Sequence, residues 1–190
     1  MRIIAGRFKG RTLEGPPATG VRPTSDRLRE TLFNLVDVEM PGCTVLDAFA
    51  GTGAIGLEAI SRGAHHATFV ERDPKAIAVI RRNVAACGAG NQCVIMPTDF
   101  IGFSRRFDNE PQFDLVLLDP PYDYLEIDAV LAGAATLLRP GGLVVLEHAR
   151  KRAVPEDVPR LVLRRRVKAG DSQLSFYALA APGRSPVDAE

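Results

Sequence analysis

The sequence predicts an α/β fold: one open, mostly parallel sheet of seven strands with helices on both faces. Three observations predict it. From Thr44 onward, short aliphatic runs alternate with longer stretches of helical periodicity, the rhythm of βαβ units. Residues 114–118 read Asp-Leu-Val-Leu-Leu, an apolar run bounded by charge and by two prolines, which suits a strand buried on both faces. After Ala149 the rhythm changes. Residues 161–168 and 174–180 are strand-like runs joined by Ala169-Gly170-Asp171-Ser172-Gln173 with no helix between them, so the sheet ends in an antiparallel hairpin.

Residues 2–14 alternate around Gly6-Arg7-Phe8-Lys9-Gly10 and predict a short basic β-hairpin, broken by Gly15-Pro16-Pro17. Thr24, Ser25 and Asp26 offer N-caps for a helix with Leu28, Leu32 and Leu35 on one face. Pro41-Gly42 ends that unit. Strands follow at 44–47, 67–71, 93–96, 114–119 and 142–147, and helices at 54–62, 75–86, 99–106 and 126–138. Gly63, Gly88 and Gly141-Gly142 punctuate the ends as C-caps would. Residues 182–190 are rich in Pro, Gly and acid and are expected to be disordered. The organisation expected is an N-terminal extension (1–41), a domain at 42–181, and a tail.

A chain of 190 residues can bury about 70% of its unfolded surface in one core. No apolar run reaches the ~18 residues of a membrane span, and no apolar segment follows Arg2 as a secretory signal would require. Cys43, Cys87 and Cys93 are odd in number and lack CxxC spacing, so neither a disulfide framework nor a zinc site is indicated, and a cytoplasmic setting is expected. Net charge is only +1, but residues 1–31 carry seven basic side chains against three acidic ones. A second basic cluster runs from Arg150 to Lys168 and includes Arg164-Arg165-Arg166. Two cationic patches on a near-neutral chain suit a polyanionic partner.

Asp119-Pro120-Pro121-Tyr122 closes the fourth strand, at the edge where open α/β sheets bind ligands. The two prolines have no N–H and a fixed φ, so the turn is stiff and its carbonyls are free to accept. Tyr122 adds a flat aromatic face with a polar tip. These parts suit a planar ring bearing an exocyclic amine. Asp119 and the Pro120 carbonyl accept its two hydrogens while Tyr122 stacks. Such an amine is a poor nucleophile because its lone pair is delocalised into the ring; acceptors that draw its hydrogens out of plane localise that pair on nitrogen. A plain strand-ending Asp-Pro turn is the structural alternative.

The first strand leads into Asp47-Ala-Phe-Ala-Gly51-Thr-Gly53-Ala-Ile-Gly56, with Glu71 closing the next strand. Gly51, Gly53 and Gly56 satisfy G-x-G-x-x-G, which makes a dinucleotide oxidoreductase the serious competitor. Three features oppose it. Asp47 would repel a pyrophosphate, the glycines begin four residues past Asp47, and Asp-Pro-Pro-Tyr has no role in hydride transfer. S-adenosylmethionine fits all three. Its ammonium lies near Asp47 and the Gly51–Gly53 loop, its ribose hydroxyls on Glu71, and its adenine amine on Asp99. Asp99 is equally suited to capping the helix that follows it.

The chain resembles the bacterial small-subunit ribosomal RNA guanine-N2 methyltransferases. The resemblance is carried by Arg2-Ile-Ile-Ala-Gly, Lys9-Gly10-Arg11, Arg22-Pro-Thr-Ser-Asp-Arg27, Leu46-Asp47-Ala-Phe-Ala-Gly51-Thr-Gly53, Phe69-Val70-Glu71, Leu117-Leu118-Asp119-Pro-Pro-Tyr122 and Glu147-His148. It implies a Rossmann-like class I S-adenosylmethionine-dependent methyltransferase that modifies the N2 amine of a guanine in 16S rRNA, guanine 966 in that family. It further implies 16S rRNA or the 30S subunit as partner, no metal and no membrane, and a monomer. Arg2, Arg7, Lys9 and Arg11 would lie along phosphates. Arg22, Thr24 and Asp26 would fold over the cofactor or the target base, or cap the helix. Gly170-Asp171-Ser172-Gln173 departs modestly from the family pattern and is expected to touch only a hairpin turn. His65-His66 make a weak metal pair, His148 is expected to be structural, and no cysteine sits where a base-attacking nucleophile would. A DNA adenine-N6 methyltransferase stays open as the alternative, since Asp-Pro-Pro-Tyr serves that amine equally well.

Overall fold

The structure, a computed structural model, describes residues 1–16, 26–36 and 40–180. Arg22, Thr24 and the 182–190 tail lie outside the described residues. In chain order the elements are α1 (Asp26–Leu35), β1 (Thr44–Asp47), α2 (Ala54–Ser61), β2 (His66–Glu71), α3 (Pro74–Cys87), β3 (Cys93–Pro97), α4 (Phe100–Arg106), β4 (Phe113–Leu118), α5 (Ile127–Leu137), β5 (Leu138–Ala149), β6 (Asp157–Val158), β7 (Leu161–Ala169) and β8 (Ser172–Leu179). They build one sheet of order β3-β2-β1-β4-β5-β8-β7-β6. The first five strands run parallel; β8 runs antiparallel between β5 and β7.

The sheet has eight strands, not seven. The extra one, β6, is a two-residue edge paired as Asp157 with Val162 and Val158 with Leu161. Two residues carry no periodicity, and the flanking Pro155 and Pro159 read as loop. A second difference lies at Gly141-Gly142, expected to cap the 126–138 helix before a strand at 142–147. The helix instead ends at Leu137 and β5 starts at once, absorbing these residues in a bulge between the Phe113–Leu138 and Leu115–Leu143 pairs. Gly141 supplies a positive φ of 81° there.

Parallel pairing explains why the strands are apolar without alternation. Val45, Leu115, Leu117 and Val145 pack on one face with α1 and α2, while Leu46, Val116, Leu118 and Val144 pack on the other with α4 and α5. Helix ends follow local chemistry. Asp73 caps α3 by accepting from the Lys75 N–H, Pro74 opens the helix, and Gly88 closes it with a φ of 64°.

Residues 1–13 fold back on themselves as an irregular antiparallel pair rather than a regular hairpin: the N–H groups of Ile3, Gly10 and Leu13 donate to the Arg11, Ile3 and Met1 carbonyls at 3.0, 2.9 and 2.9 Å. Only Arg2 and Thr12 make a ladder bridge. Four N–H groups between them turn toward α2: Ile4 and Ala5 donate to the Glu58 carboxylate at 2.8 and 3.0 Å, and Arg7 and Phe8 donate to the Ser61 carbonyl and hydroxyl at 2.8 and 3.0 Å. The helix surface thus braces the turn region of the arm. The approach is close enough that a Cβ on Gly6 would stand 1.8 Å from the Ser61 oxygen. Ile3 and Leu13 join the core cluster of α1 and α2.

Candidate active site

The carboxyl ends of the parallel strands bring a row of acids to one edge. Asp47 ends β1, Glu71 ends β2, Asp99 follows β3, Asp119 follows β4 and Glu147 lies on β5. Above them, at the point where β2 and β4 leave β1 on opposite sides, opens a cavity of about 550 Å³. Gly51, Glu71, Asp99, Asp119, Pro120, Pro121 and Tyr122 all reach its wall. Sequence reasoning thus brought together residues spread over 72 positions of chain.

Glycine is needed in the loop for two reasons. Gly51 and Gly53 adopt φ of 54° and 75°, and a Cβ on Gly56 would stand 2.4 Å from the Phe69 ring. Glu71 braces the loop: Gly51 donates to its Oε2 at 2.9 Å, and the N–H groups of Arg72 and Asp73 donate to its Oε1 at 2.8 and 2.9 Å.

Asp47 is placed otherwise than expected. It is 1% exposed, stands behind the loop rather than on the cavity wall, and accepts the Gly56 N–H at 2.9 Å. Gly53, the N-cap of α2, has no side chain, so a carboxylate from the strand below serves the helix N-terminus. Burial raises its pKa to about 7, with Asp119 and Glu71 adding and the Gly56 N–H opposing. The direct contact with a ligand's ammonium is not where this carboxylate sits. Asp99 holds both of the positions open to it: it caps α4 by accepting from Gly102 N–H at 2.7 Å, and it lies on the cavity wall.

The Asp-Pro-Pro-Tyr turn is held from two sides. Arg152 donates to the Tyr122 carbonyl at 2.8 Å and to that of Tyr124, while the Tyr122 hydroxyl lies 2.7 Å from Ser172 Oγ. Ser172 donates to Glu147 Oε1 at 2.9 Å. Its one proton is thereby spent, so the phenol donates to the serine. Glu147 and Ser172 both line the cavity. The Gly170–Gln173 turn therefore touches more than a hairpin. Phe49 meets Tyr124 edge-on at 5.4 Å and Phe100 at 6.0 Å, giving the cavity an aromatic wall. Neither Ser172, Arg152, Phe49 nor Tyr124 carried a signal readable from spacing.

On the N-terminal arm, Arg2, Arg7, Lys9 and Arg11 are all exposed. Arg7 and Arg11 flank the Phe8 ring at 4.5 and 5.8 Å, and Arg2 pairs with Asp26 at 3.7 Å. Fully buried Arg29 ties the arm to α1 by donating to the Arg2 carbonyl at 2.6 Å and Asp26 at 2.7 Å. Asp26, offered as a cap or a site residue, is used in these pairs. On β7, Arg164, Arg166 and Lys168 are exposed, while Arg165 stacks on Phe176 at 4.5 Å and donates to the Leu35 carbonyl.

His148 is buried, bonded to Ser175 Oγ at 2.8 Å and to the Ala149 carbonyl at 3.0 Å, a structural arrangement as expected. Burial pushes the Cys43 and Cys93 thiols up to about 12, the opposite of what a nucleophile needs. Among the described residues no group of three or more His, Cys, Asp or Glu could hold a metal, and no helix is long and apolar enough to cross a membrane.

A family model described as Conserved hypothetical protein 95 matches residues 1–178. Ribosomal RNA small subunit methyltransferase D of Escherichia coli is 34% identical over 190 residues, 99% of this chain and 94% of that one. The chain belongs to the ribosomal RNA small subunit methyltransferase D family. The protein of the same name from Haemophilus influenzae is 36% identical over 150 residues, 77% of this chain and 78% of the relative. Among solved structures, the Escherichia coli protein yhhF superposes with a TM-score of 0.83 at 30% identity, covering 94% of this chain and 97% of that one. An RNA methyltransferase from Salinibacter ruber, solved with S-adenosyl-L-homocysteine, shares the fold at a TM-score of 0.67 and 18% identity, covering 89% of this chain and 99% of that one. The fold is that of the class I methyltransferases, and the family is one of S-adenosylmethionine-dependent rRNA methyltransferases. The oxidoreductase reading of the glycine loop falls, and the DNA adenine alternative is not favoured.

Proposed function

We propose that this chain methylates the N2 amine of a guanine in 16S rRNA, guanine 966 in the numbering of the family, on naked rRNA or within the 30S subunit. The observation that carries the proposal is that Asp119-Pro-Pro-Tyr122 and the Gly51–Glu71 loop open on one cavity. A methyl donor and a planar amine can therefore meet there.

The residues present fit S-adenosylmethionine. The cavity size suits a nucleoside-sized ligand, and its acidic rim attracts a cation. Gly51 and Gly53 let the backbone approach, Glu71 would accept from ribose hydroxyls and Asp99 from the adenine amine, and buried Asp47 would act behind the loop by holding the Gly56 N–H. When bound, the cofactor supplies an electrophilic methyl group on a sulfonium. The protein's work is then to position the amine. Asp119 and the Pro120 carbonyl take its hydrogens, Pro121 stiffens the turn, and Tyr122 stacks on the base. A base leaving its stack costs a few kcal/mol, of which stacking on Tyr122 returns about 1–3 kcal/mol.

Residues 1–41 act as an RNA-binding extension, with Arg2, Arg7, Lys9 and Arg11 along phosphates and Arg22 as a further RNA-binding residue. The protein works as a monomer in the cytoplasm.

The test uses S-adenosylmethionine labelled on its methyl group, offered with 30S subunits, with 16S rRNA from cells lacking the enzyme, and with unmethylated duplex DNA. Nucleoside digestion should give labelled N2-methylguanosine from the ribosomal samples. Label in N6-methyladenine from the DNA alone would overturn the proposal.

A further inference from the structure

We propose that Glu147 is the residue that selects guanine, by accepting the ring N1–H beside the amine that Asp119 holds. This rests on the preceding reading that a guanine N2 amine is the methyl acceptor. The sheet register carries it. Leu118 of β4 pairs in parallel with Leu146 of β5, so Asp119 and Glu147 are the next positions on adjacent strands. Such neighbours lie about 4.8 Å apart and send their side chains to the same face. Both line the cavity.

Glu147 is also held in place. Ser172, 3% exposed, donates to Glu147 Oε1 at 2.9 Å and takes the Tyr122 phenol proton at 2.7 Å. The stacking ring and the carboxylate are thus fixed to one another through a single hydroxyl. A carboxylate offers about four acceptor positions, so the Ser172 bond is compatible with Glu147 accepting from a second donor.

Two adjacent carboxylates match one base edge in particular. Guanine presents N1–H and the N2 amine side by side, donors throughout. Adenine and cytosine place a ring nitrogen lone pair next to their amine, and that lone pair would face Glu147 without a proton between them. A site built to bond one donor rejects an analogue lacking it by as much as about 10⁴–10⁵-fold. The Asp-Pro-Pro-Tyr turn by itself suits any exocyclic amine, and Glu147 supplies the discrimination it lacks.

The experiment uses 30S particles assembled on 16S rRNA ligated to carry, at the target, either guanosine or 2-aminopurine riboside. The latter keeps the 2-amine but has a lone pair at N1. The wild-type enzyme should prefer guanosine by at least about 100-fold in kcat/KM. Glu147→Gln, whose amide can donate to a lone pair, should cut that preference at least tenfold, mainly through loss on guanosine, with S-adenosylhomocysteine affinity unchanged by calorimetry. Ser172→Ala, which leaves the carboxylate but frees its orientation, should weaken the preference less, and it stands as the test if Glu147→Gln fails to fold. A Glu147→Gln enzyme with the wild-type preference, or with lost S-adenosylhomocysteine binding, would overturn the proposal. If the wild type makes N2-methyl-2-aminopurine riboside as readily as N2-methylguanosine, the proposal falls while the activity stands. No methylated guanosine from wild type overturns both.

Discussion

Replacing Glu58 by alanine should loosen the N-terminal arm at a cost that can be worked from its partners. Glu58 is fully buried in α2 and accepts from Ile4 N–H at 2.8 Å, Ala5 N–H at 3.0 Å and Arg62 Nε at 2.8 Å. Removing one member of a buried charged pair costs about 3–5 kcal/mol. Arg62 keeps 16% side-chain exposure and regains water, so the lower figure, about 3 kcal/mol, applies. A chain of this length loses about 2–4 °C per kcal/mol, giving a Tm lower by about 6–12 °C. Circular dichroism melts of Glu58→Ala and Glu58→Gln, read beside hydrogen exchange at the Ile4 and Ala5 amides, provide the assay. Glu58→Gln keeps shape and one acceptor and should lose about half as much. A Glu58→Ala melt within about 2 °C of wild type, or full retention of protection at those two amides, would refute the reasoning.

Asp119→Ala should lower turnover at least about 10²–10³-fold while S-adenosylhomocysteine affinity, measured by calorimetry, stays within twofold. Loss of that affinity would make Asp119 a cofactor or structural residue. Asp47→Asn should alter the pH dependence of stability. Asp47 has its pKa raised to about 7 in the fold. Its contribution is therefore complete below the ordinary carboxylate value and is lost as pH rises through about 7. Thermal melts of the ligand-free protein should show the variant gaining on wild type from about pH 4 to pH 7 and a constant difference above; a pH-independent difference would count against the raised value. Neutralising Arg7, Lys9 and Arg11 together should reduce the slope of log affinity against log salt for 16S rRNA by about 2–3, and an unchanged slope would take the arm off the phosphates. Gly6→Ala should undock the arm, seen as increased exchange at Arg7 and Phe8, because its φ is 79° and its Cβ has no room.

The parallel sheet and the strand-end acids were legible because both rest on local signals. An aliphatic run has to be covered on both faces, and a charged residue that ends it has to stand at the rim. Asp119, Glu71 and Asp99 reached the cavity for that reason. Asp47 obeyed the same rule but was taken inward by Gly56, since a helix capped by glycine leaves N–H groups that some other acceptor must serve. The hairpin expected at 2–14 is irregular because Glu58 and Ser61, more than 50 positions away, take the donors of Ile4, Ala5, Arg7 and Phe8 while Ile3, Gly10 and Leu13 still bond across it. Ser172 and Arg152 were invisible for a related reason. Their roles come from register and from a turn that meets another turn, and neither leaves a pattern along the chain.

The placement of β8 has a consequence for how the protein is made. Last in the chain among the described strands, it is interior in the sheet, wedged between β5 and β7. During synthesis β5 emerges with one neighbour missing, and its exposed edge waits for a segment that the ribosome delivers some two dozen residues later. The same late segment brings Ser172 to Tyr122. Until then the nascent chain holds its acids and its glycine loop but leaves the aromatic platform unanchored. A chain truncated before β8 would therefore carry the glycine loop and the Asp-Pro-Pro-Tyr turn without the contact that anchors Tyr122.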